Sequence, residues 1–426
     1  MNWWPLGLMV LLFLTGMPIV LSVGFCSVLY VIFVAAVPLS IVPQQVIGGM
    51  DTFLLLAIPM FILAGSLMGE ADVTKRLVAL STSLVGWVRG GLAQVSVMTS
   101  AIISGISGSG LADAAATGSA LIPVMRKSGY GKGFAAAVTG CSSVMGPIIP
   151  PSIIMVVIGG LTNISIGKMF LGGLVPGLLL AVMFAAICYF IAVKRNYPVQ
   201  ARFSWPLVWV AFRGALPSLG LPLIIIGGIL SGAFTPTESA GVAAAYVILL
   251  GLAHRTFVWK DFYRSVVETG VVSGTVMFIV GVSAVFGWIL VNENAGDGIA
   301  SALSGVTSDP TLMLLLVVGV MLVLGCLMEA LAILILVVPV LLPVLIATGV
   351  DPVHFGVVAT VALSAGLVTP PFGLTMFLMC KLADVSVEEF ALESIPFFVC
   401  IGVALGLLIF FPEIVLWLPN LLMGKQ

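Results

Sequence analysis

Apolar residues in this chain fall into runs of near 20, separated by short polar stretches. About 20 helical residues at 1.5 Å each cross the roughly 30 Å hydrocarbon layer of a bilayer, so each run predicts a crossing. The runs place crossings at 6–40, 52–69, 133–160, 169–193, 214–233, 238–253, 266–291, 354–380 and 395–422. The first is long enough to be strongly tilted, or broken near Pro18. Two further apolar segments, 93–125 and 312–345, are interrupted midway by Ser104-Gly-Ile-Ser-Gly-Ser-Gly110 and by Leu324-Gly-Cys-Leu-Met-Glu329. Each predicts a re-entrant hairpin, two half-helices meeting at a tip inside the membrane.

The two interrupted segments belong to a repeat. Residues 105–176 return at 325–396 with a constant offset of 220: Gly105, Pro123, Gly129, Gly146, Pro150, Pro151 and Pro176 fall on Gly325, Pro343, Gly349, Gly366, Pro370, Pro371 and Pro396. Gly and Pro punctuate the backbone, so both copies are expected to bend at the same places. Repeats of this kind in a membrane protein point to transport.

Charge orders the layout, because short cytoplasmic loops collect Lys and Arg. With both segments as hairpins, Lys75, Arg76, Arg89, Arg126, Lys127, Lys132, Lys194, Arg195, Arg202, Arg213, Arg255, Lys260, Arg264 and Lys381 share one face. Only Lys168 and Lys425 fall on the other, a split of 14 to 2. A full crossing at either segment would invert everything downstream and damage that bias. The N-terminus is therefore expected in the cytoplasm and the C-terminus outside. Five crossings separate the hairpins, an odd number, so the second copy is inverted relative to the first. The fold class that follows is an all-α polytopic membrane protein, an inverted repeat with two re-entrant hairpins and two discontinuous helices.

Composition excludes the main rivals. With 61% hydrophobic and 8% charged residues the chain is no ordinary soluble domain. A net charge of −1 spread over short loops offers no basic face for nucleic acid. The six cysteines lie in apolar stretches without a CxxC pair and read as buried thiols, not as a disulfide framework or zinc site. His254 and His354 leave little room for a histidine metal centre. No Walker motif is present, which excludes ATP-driven pumping by this chain alone. The N-terminal run continues past Val34 without a preceding charged region and predicts a first span, not a cleaved signal.

Each hairpin is followed by a crossing broken at its middle, Gly146-Pro-Ile-Ile-Pro-Pro-Ser152 and Gly366-Leu-Val-Thr-Pro-Pro-Phe372. Paired prolines remove amide donors and free carbonyls that must find partners at mid-membrane. Carbonyls with Ser and Thr hydroxyls are the hard oxygen ligands that a small cation prefers. Two Na⁺ sites follow as an expectation. One draws on Ser104, Gly105 and Ser107 with Gly146 and Ile149, the other on Gly325 and Met328 with Gly366 and Thr369. The alternative is a pair of kinks that serve helix packing only. Asp113 and Glu329 are acids within or beside the tips, where charge is costly and usually faces a cavity or partner. Asp113 lies four residues after Ser109, one helical turn on, and Glu329 occupies the position of Ser109 in the other copy. Both are expected to line a crevice between the tips and order a hydrated substrate, while half-helix N-termini attract its carboxylate. Alternatively each braces its own hairpin. Thr235-Pro-Thr-Glu238 reads as a capping box that starts a helix. Lys75, Arg76, Arg255, Lys260 and Arg264 read as cytoplasmic anchors, and Leu77–Val88 as an amphipathic arm.

The SGISGSGLADAAATGSALIPVM hairpin, the GPIIPPSI break and the GLVTPPFG break resemble, in that order and over nearly the whole chain, the large membrane (M) subunit of tripartite ATP-independent periplasmic (TRAP) transporters. The resemblance is nearest to the sialic acid branch. It implies an elevator, in which hairpins and broken helices slide against a scaffold, driven by the Na⁺ gradient. Scaffold spans and an arm would then occupy 1–92 and 194–311, and transport repeats 93–193 and 312–426. It also implies a separate four-helix Q subunit and a periplasmic substrate-binding P protein that delivers an organic acid. Site residues carried over in matching motifs are Ser107, Ser109, Asp113, Ser152 and Glu329. The location implied is the bacterial inner membrane. A self-sufficient Na⁺/dicarboxylate or citrate symporter is the second reading. An intramembrane serine protease is the third, on Gly105-Ile-Ser107-Gly108, although neither histidine is well placed for Ser107.

Overall fold

A computed structural model describes residues 7–424 apart from 10, 13, 14, 16, 18, 36, 71, 72, 201, 254–258, 294–306, 308 and 327. Among the described residues the regular structure is entirely helical. In chain order the α-helices are α1 (Ile19–Phe33), α2 (Ile41–Met50), α3 (Ala57–Glu70), α4 (Val73–Val85), α5 (Gly91–Ser107), α6 (Gly110–Lys127), α7 (Lys132–Ser142), α8 (Ile153–Thr162) and α9 (Ile166–Lys194). They continue with α10 (Trp205–Leu230), α11 (Pro236–Ala253), α12 (Trp259–Asn292), α13 (Pro310–Gly325), α14 (Ala330–Ala347), α15 (Pro352–Gly366), α16 (Leu374–Ala383), α17 (Val387–Phe410) and α18 (Glu413–Met423).

The repeat is realised helix by helix, α5 to α9 against α13 to α17. The helices α6 and α14 begin and end at the shared offset, Gly110 with Ala330 and Lys127 with Ala347. Both then turn through a glycine of positive φ, Gly129 at 85° and Gly349 at 92°, a conformation that suits a residue without Cβ. The helices α5 and α6 pack on each other, as do α13 and α14, so each pair is a helical hairpin closed by the interruption read from sequence. The α14 helix, at 18 residues, is also long and apolar enough to cross a membrane by itself. The breaks fall at 146–152 between α7 and α8 and at 367–373 between α15 and α16, and the bonds Pro150–Pro151 and Pro370–Pro371 are both cis.

Two crossings differ from expectation. The run at 6–40 is not one helix: α1 stops at Phe33, Val37-Pro38 cannot continue it, and a separate α2 follows whose axis bends 59° from the next helical stretch. The break expected near Pro18 lies outside the described residues, as do His254, Arg255 and Lys425. The run at 395–422 divides into α17 and α18 because Pro412 holds Phe411 out of the helical region, at φ −127° and ψ 79°. Elsewhere the local signals hold. The Thr235 N–H and hydroxyl both donate to Glu238 Oε2 at 2.8 Å, and the Glu238 N–H donates to Thr235 Oγ1 at 3.2 Å, the expected capping box of α11. The arm, α4, buries Val73, Leu77 and Leu80 against α5 and α10.

Polar contacts join the stretch that follows α6 and the end of α9 to the last part of the second repeat. Lys132 Nζ meets Asp384 at 3.2 Å, Arg195 meets Glu393 at 2.9 Å, and Gly133 N–H donates to Glu389 Oε1 at 3.1 Å. The Glu393 carboxylate holds the Arg195 guanidinium above its usual pKa.

Candidate functional site

Each hairpin tip is held by the break that follows it. Ile153 N–H donates to the Gly108 carbonyl at 3.4 Å in the first repeat, and Phe372 N–H to the Cys326 carbonyl at 3.3 Å in the second. The backbones approach so closely that only glycine fits. A Cβ on Gly146 would lie 2.8 Å from Gly110 N, and one on Gly366 would lie 2.6 Å from the Gly325 carbonyl oxygen. Gly108 turns the first tip with φ 62°, and a Cβ there would meet the Pro151 carbonyl at 2.6 Å. The fold thus brings Gly108–Gly110 of the first tip against Gly146 and Pro151, and Gly325 and Cys326 of the second against Gly366 and Phe372.

Between the tips opens a cavity of about 480 Å³. Ser107, Ser109 and Leu111 come to it from the first tip, Glu329 and Leu331 from the second, Gly65 and Ser66 from α3, and Glu268 and Thr269 from α12. Ser109 sits at the N-cap of α6 and accepts from Ala112 N–H at 3.4 Å, while Ser107 Oγ lies 3.4 Å from the Ser109 carbonyl. Glu329 sits at the N-cap of α14. Two helix N-termini, each carrying a partial positive charge, therefore face one space. A smaller cavity of about 280 Å³ adjoins the second tip, lined by Gly325, Met328, Glu329, Gly366 and Phe372.

Two residues named from sequence lie elsewhere. Asp113 is fully buried, its Oδ1 accepting from Ser100 Oγ at 3.3 Å inside the first hairpin, and it is not part of the cavity wall. The helical spacing from Ser109 misplaces it because Ser109, at φ −130° and ψ 119°, is extended and outside the helix. Counting from Leu111, Ala112 and Ala115, which do line the cavity, puts Asp113 on the opposite face of α6. Ser152 is also fully buried and caps α8, accepting from Met155 N–H at 3.2 Å. Ser152→Ala is expected to lower the protein's stability by about 1 kcal/mol, as loss of an N-cap does. Thermal unfolding of the purified protein should drop while the substrate KM stays at its wild-type value, and a raised KM would place Ser152 on the substrate instead.

The cation-site residues are less uniform. Ser104 Oγ donates back along α5 to the Ser100 carbonyl at 2.6 Å, and Thr369 Oγ1, in the break, donates to the Ala365 carbonyl in the last turn of α15 at 2.7 Å, each hydroxyl keeping oxygen lone pairs uncommitted by that bond. The Ile149 side chain lies against Gly177 of α9. Among the described residues no three His, Cys, Asp or Glu side chains cluster as metal ligands. Sequence reasoning missed the walls supplied by Gly65, Ser66, Glu268 and Thr269. Glu268, an acid inside a run predicted to cross at 266–291, was the available signal.

The family described as the DctM component of the tripartite ATP-independent periplasmic transporters matches residues 6–414. The chain belongs to this family. It is similar to the sialic acid TRAP transporter large permease SiaM of Vibrio cholerae, 38% identical over 414 residues and 97% of each chain. It is also similar to the C4-dicarboxylate TRAP large permease DctM of Vibrio cholerae, 35% identical over 435 residues, which cover 97% of this chain and 96% of that protein. The solved structure of Neisseria gonorrhoeae MtrF, presented as one of a class of antimetabolite efflux pumps, shares the fold with a TM-score of 0.63 at 14% identity, over 96% of this chain and 94% of that one. The chain is thus a TRAP large permease, a multi-pass inner membrane protein and not an enzyme. Membership also implies a small membrane subunit and a periplasmic binding protein. Within this permease Ser107 has no described histidine beside it, and His354 Nε2 is engaged at 2.8 Å by the Leu408 carbonyl.

Proposed function

We propose that this permease couples the Na⁺ gradient to uptake of an organic acid, N-acetylneuraminate (sialic acid), handed to it at the outer face by its periplasmic binding protein. The observation that carries this reading is a cavity walled by both tips. Its two helix N-termini suit a carboxylate, and Ser107, Ser109 and Glu329 suit the hydroxyl and amide groups of a sugar acid. Its volume of about 480 Å³ lies in the ordinary range for small-molecule sites. Among the described residues its charged side chains are Glu268, which Arg264 meets at 3.6 Å, and Glu329, a balance that favours a monoacid over a C4-dicarboxylate.

Na⁺ enters as a co-transported ion. The oxygen donors at each tip and break match a hard cation, and closing tip on break would couple ion binding to substrate binding. In this reading the two repeats are inverted by the five crossings between them, the hairpins are re-entrant, and 93–193 with 312–426 form a transport domain. That domain slides as an elevator against a scaffold of 1–92 and 194–311, to which a four-helix small subunit binds. The N-terminus lies in the cytoplasm and the C-terminus in the periplasm.

The test is uptake of radiolabelled N-acetylneuraminate into proteoliposomes. Uptake should require an inward Na⁺ gradient, the small subunit and the binding protein, and excess succinate should not compete. Accumulation without either partner would mark a self-sufficient symporter, and competition by succinate would assign the permease to dicarboxylates.

A further inference from the structure

The helix α10, outside the repeat, carries Pro217 and Pro222 in its interior. A proline removes one rung of the hydrogen-bond ladder and its ring forces the preceding turn aside, which bends the helix there. In lipid the loosened carbonyls must find donors. Neighbouring helices supply them. Tyr246 Oη of α11 donates to the Pro217 carbonyl at 2.7 Å, Ser239 Oγ of α11 to the Ile225 carbonyl at 3.2 Å, and Arg76 Nη1 of α4 to the Gly214 carbonyl at 3.2 Å. Tyr246 needs a glycine beside it, since a Cβ on Gly220 would stand 2.8 Å from the phenol oxygen.

The bent stretch bears on the first tip. A Cβ on Gly105 would lie 3.4 Å from Pro222 Cγ and 3.8 Å from the Pro150 carbonyl oxygen, so tip, break and α10 meet at one point. On α3, a Cβ on Gly65 would lie 3.4 Å from Ser107 Cα. The first tip is thus seated on two helices from outside the repeat. Its counterpart is not: a Cβ on Gly325 would have within 4 Å only Gly366 of its own repeat, among the described residues.

We propose that Tyr246 is a positioning residue for Na⁺ coupling: it holds the bend of α10, the bend sets where Pro222 stands, and Pro222 keeps Gly105 against the break. The proposal rests on the Na⁺ reading above, in which Gly105 belongs to the first cation site. A binding constellation works only while its groups are held to about 0.5 Å, so a tip that drifts from its break weakens the ion. Tyr246 does not line the cavity between the tips, and its effect on the substrate is therefore indirect.

The test is Na⁺-driven uptake of radiolabelled N-acetylneuraminate by the assembled transporter in proteoliposomes. Tyr246→Phe keeps the ring and removes the donor. Its Na⁺ half-saturation is expected to rise about fivefold, the scale that loss of one hydrogen bond carries. Substrate KM at saturating Na⁺ and the maximal rate should stay at their wild-type values. Gly220→Ala, whose Cβ displaces the phenol oxygen, should act alike. Pro217→Ala restores the missing rung and relaxes the bend, so it should raise the Na⁺ half-saturation by itself, and adding Tyr246→Phe to it should change nothing further. A packing defect would instead lower the maximal rate and add to the effect of Pro217→Ala. Wild-type Na⁺ half-saturation in Tyr246→Phe, a parallel rise in substrate KM, or additivity in the double variant would each overturn the assignment. Loss of the folded protein in Tyr246→Phe would overturn it too, since the hydroxyl would then hold the fold and not the tip. Uptake by the wild type without a Na⁺ gradient would instead sink the cation reading beneath it.

Discussion

Gly366→Val is expected to cut Na⁺-driven uptake to roughly one-hundredth of the wild-type rate, the scale of loss seen when a reacting or binding group is misplaced by about 1 Å. The reason is local. A Cβ at Gly366 would stand 2.6 Å from the Gly325 carbonyl oxygen, and that atom is backbone, which cannot rotate aside as a side chain would. The second tip must therefore move away from its break, and the oxygens proposed to share a Na⁺ ion separate. Overpacking of this kind also costs about 1–3 kcal/mol of stability, so thermal unfolding should be followed beside uptake. Gly146→Val should behave alike, since a Cβ there would meet Gly110 N at 2.8 Å. Uptake by a folded Gly366→Val protein with an unchanged Na⁺ half-saturation would show that the apposition of tip and break serves packing and not the cation.

Glu329→Gln carries the second large effect. Glu329 is where the symmetry of the two tips fails, since its counterpart in the first repeat is Ser109, and it lines both the main and the smaller cavity. The substitution keeps shape and removes charge. A charge-assisted hydrogen bond is worth about 1.5–3 kcal/mol, so uptake of N-acetylneuraminate should fall by roughly 10- to 100-fold. The loss should appear in the substrate KM, measured at saturating Na⁺. Uptake at the wild-type rate and KM would reduce Glu329 to a cap for α14.

Much of this was legible because it is decided within a few residues. The tips and breaks are written in Gly and Pro, which act on the backbone at their own position whatever surrounds them. The structure accordingly interrupts both hairpins inside Ser104–Gly110 and Leu324–Glu329, and both following helices inside Gly146–Ser152 and Gly366–Phe372. The box Thr235 to Glu238 is local in the same way. Apolar content alone was a weaker guide. It joined α1 to the stretch beyond it and α17 to α18, since a run of Leu, Ile and Val does not register where one proline ends a helix.

Orientation around a helix was readable only where the helix truly began. Asp113 was assigned to the cavity by counting from a residue that proved to be extended, and the error is about half a turn. Glu268, Gly65 and Ser66 were unassigned because nothing in α3 or α12 says which helices will stand opposite the tips.

The sequence by itself determined that this chain crosses a membrane many times, that it bends at paired places, and which family it joins, because burial in lipid and backbone punctuation are properties of short segments. Tertiary structure alone decided that the two tips share one cavity, which acids face it, and which helices outside the repeat wall it. Those outcomes depend on packing between segments far apart in sequence, where side-chain direction and close backbone approach are set jointly by both partners.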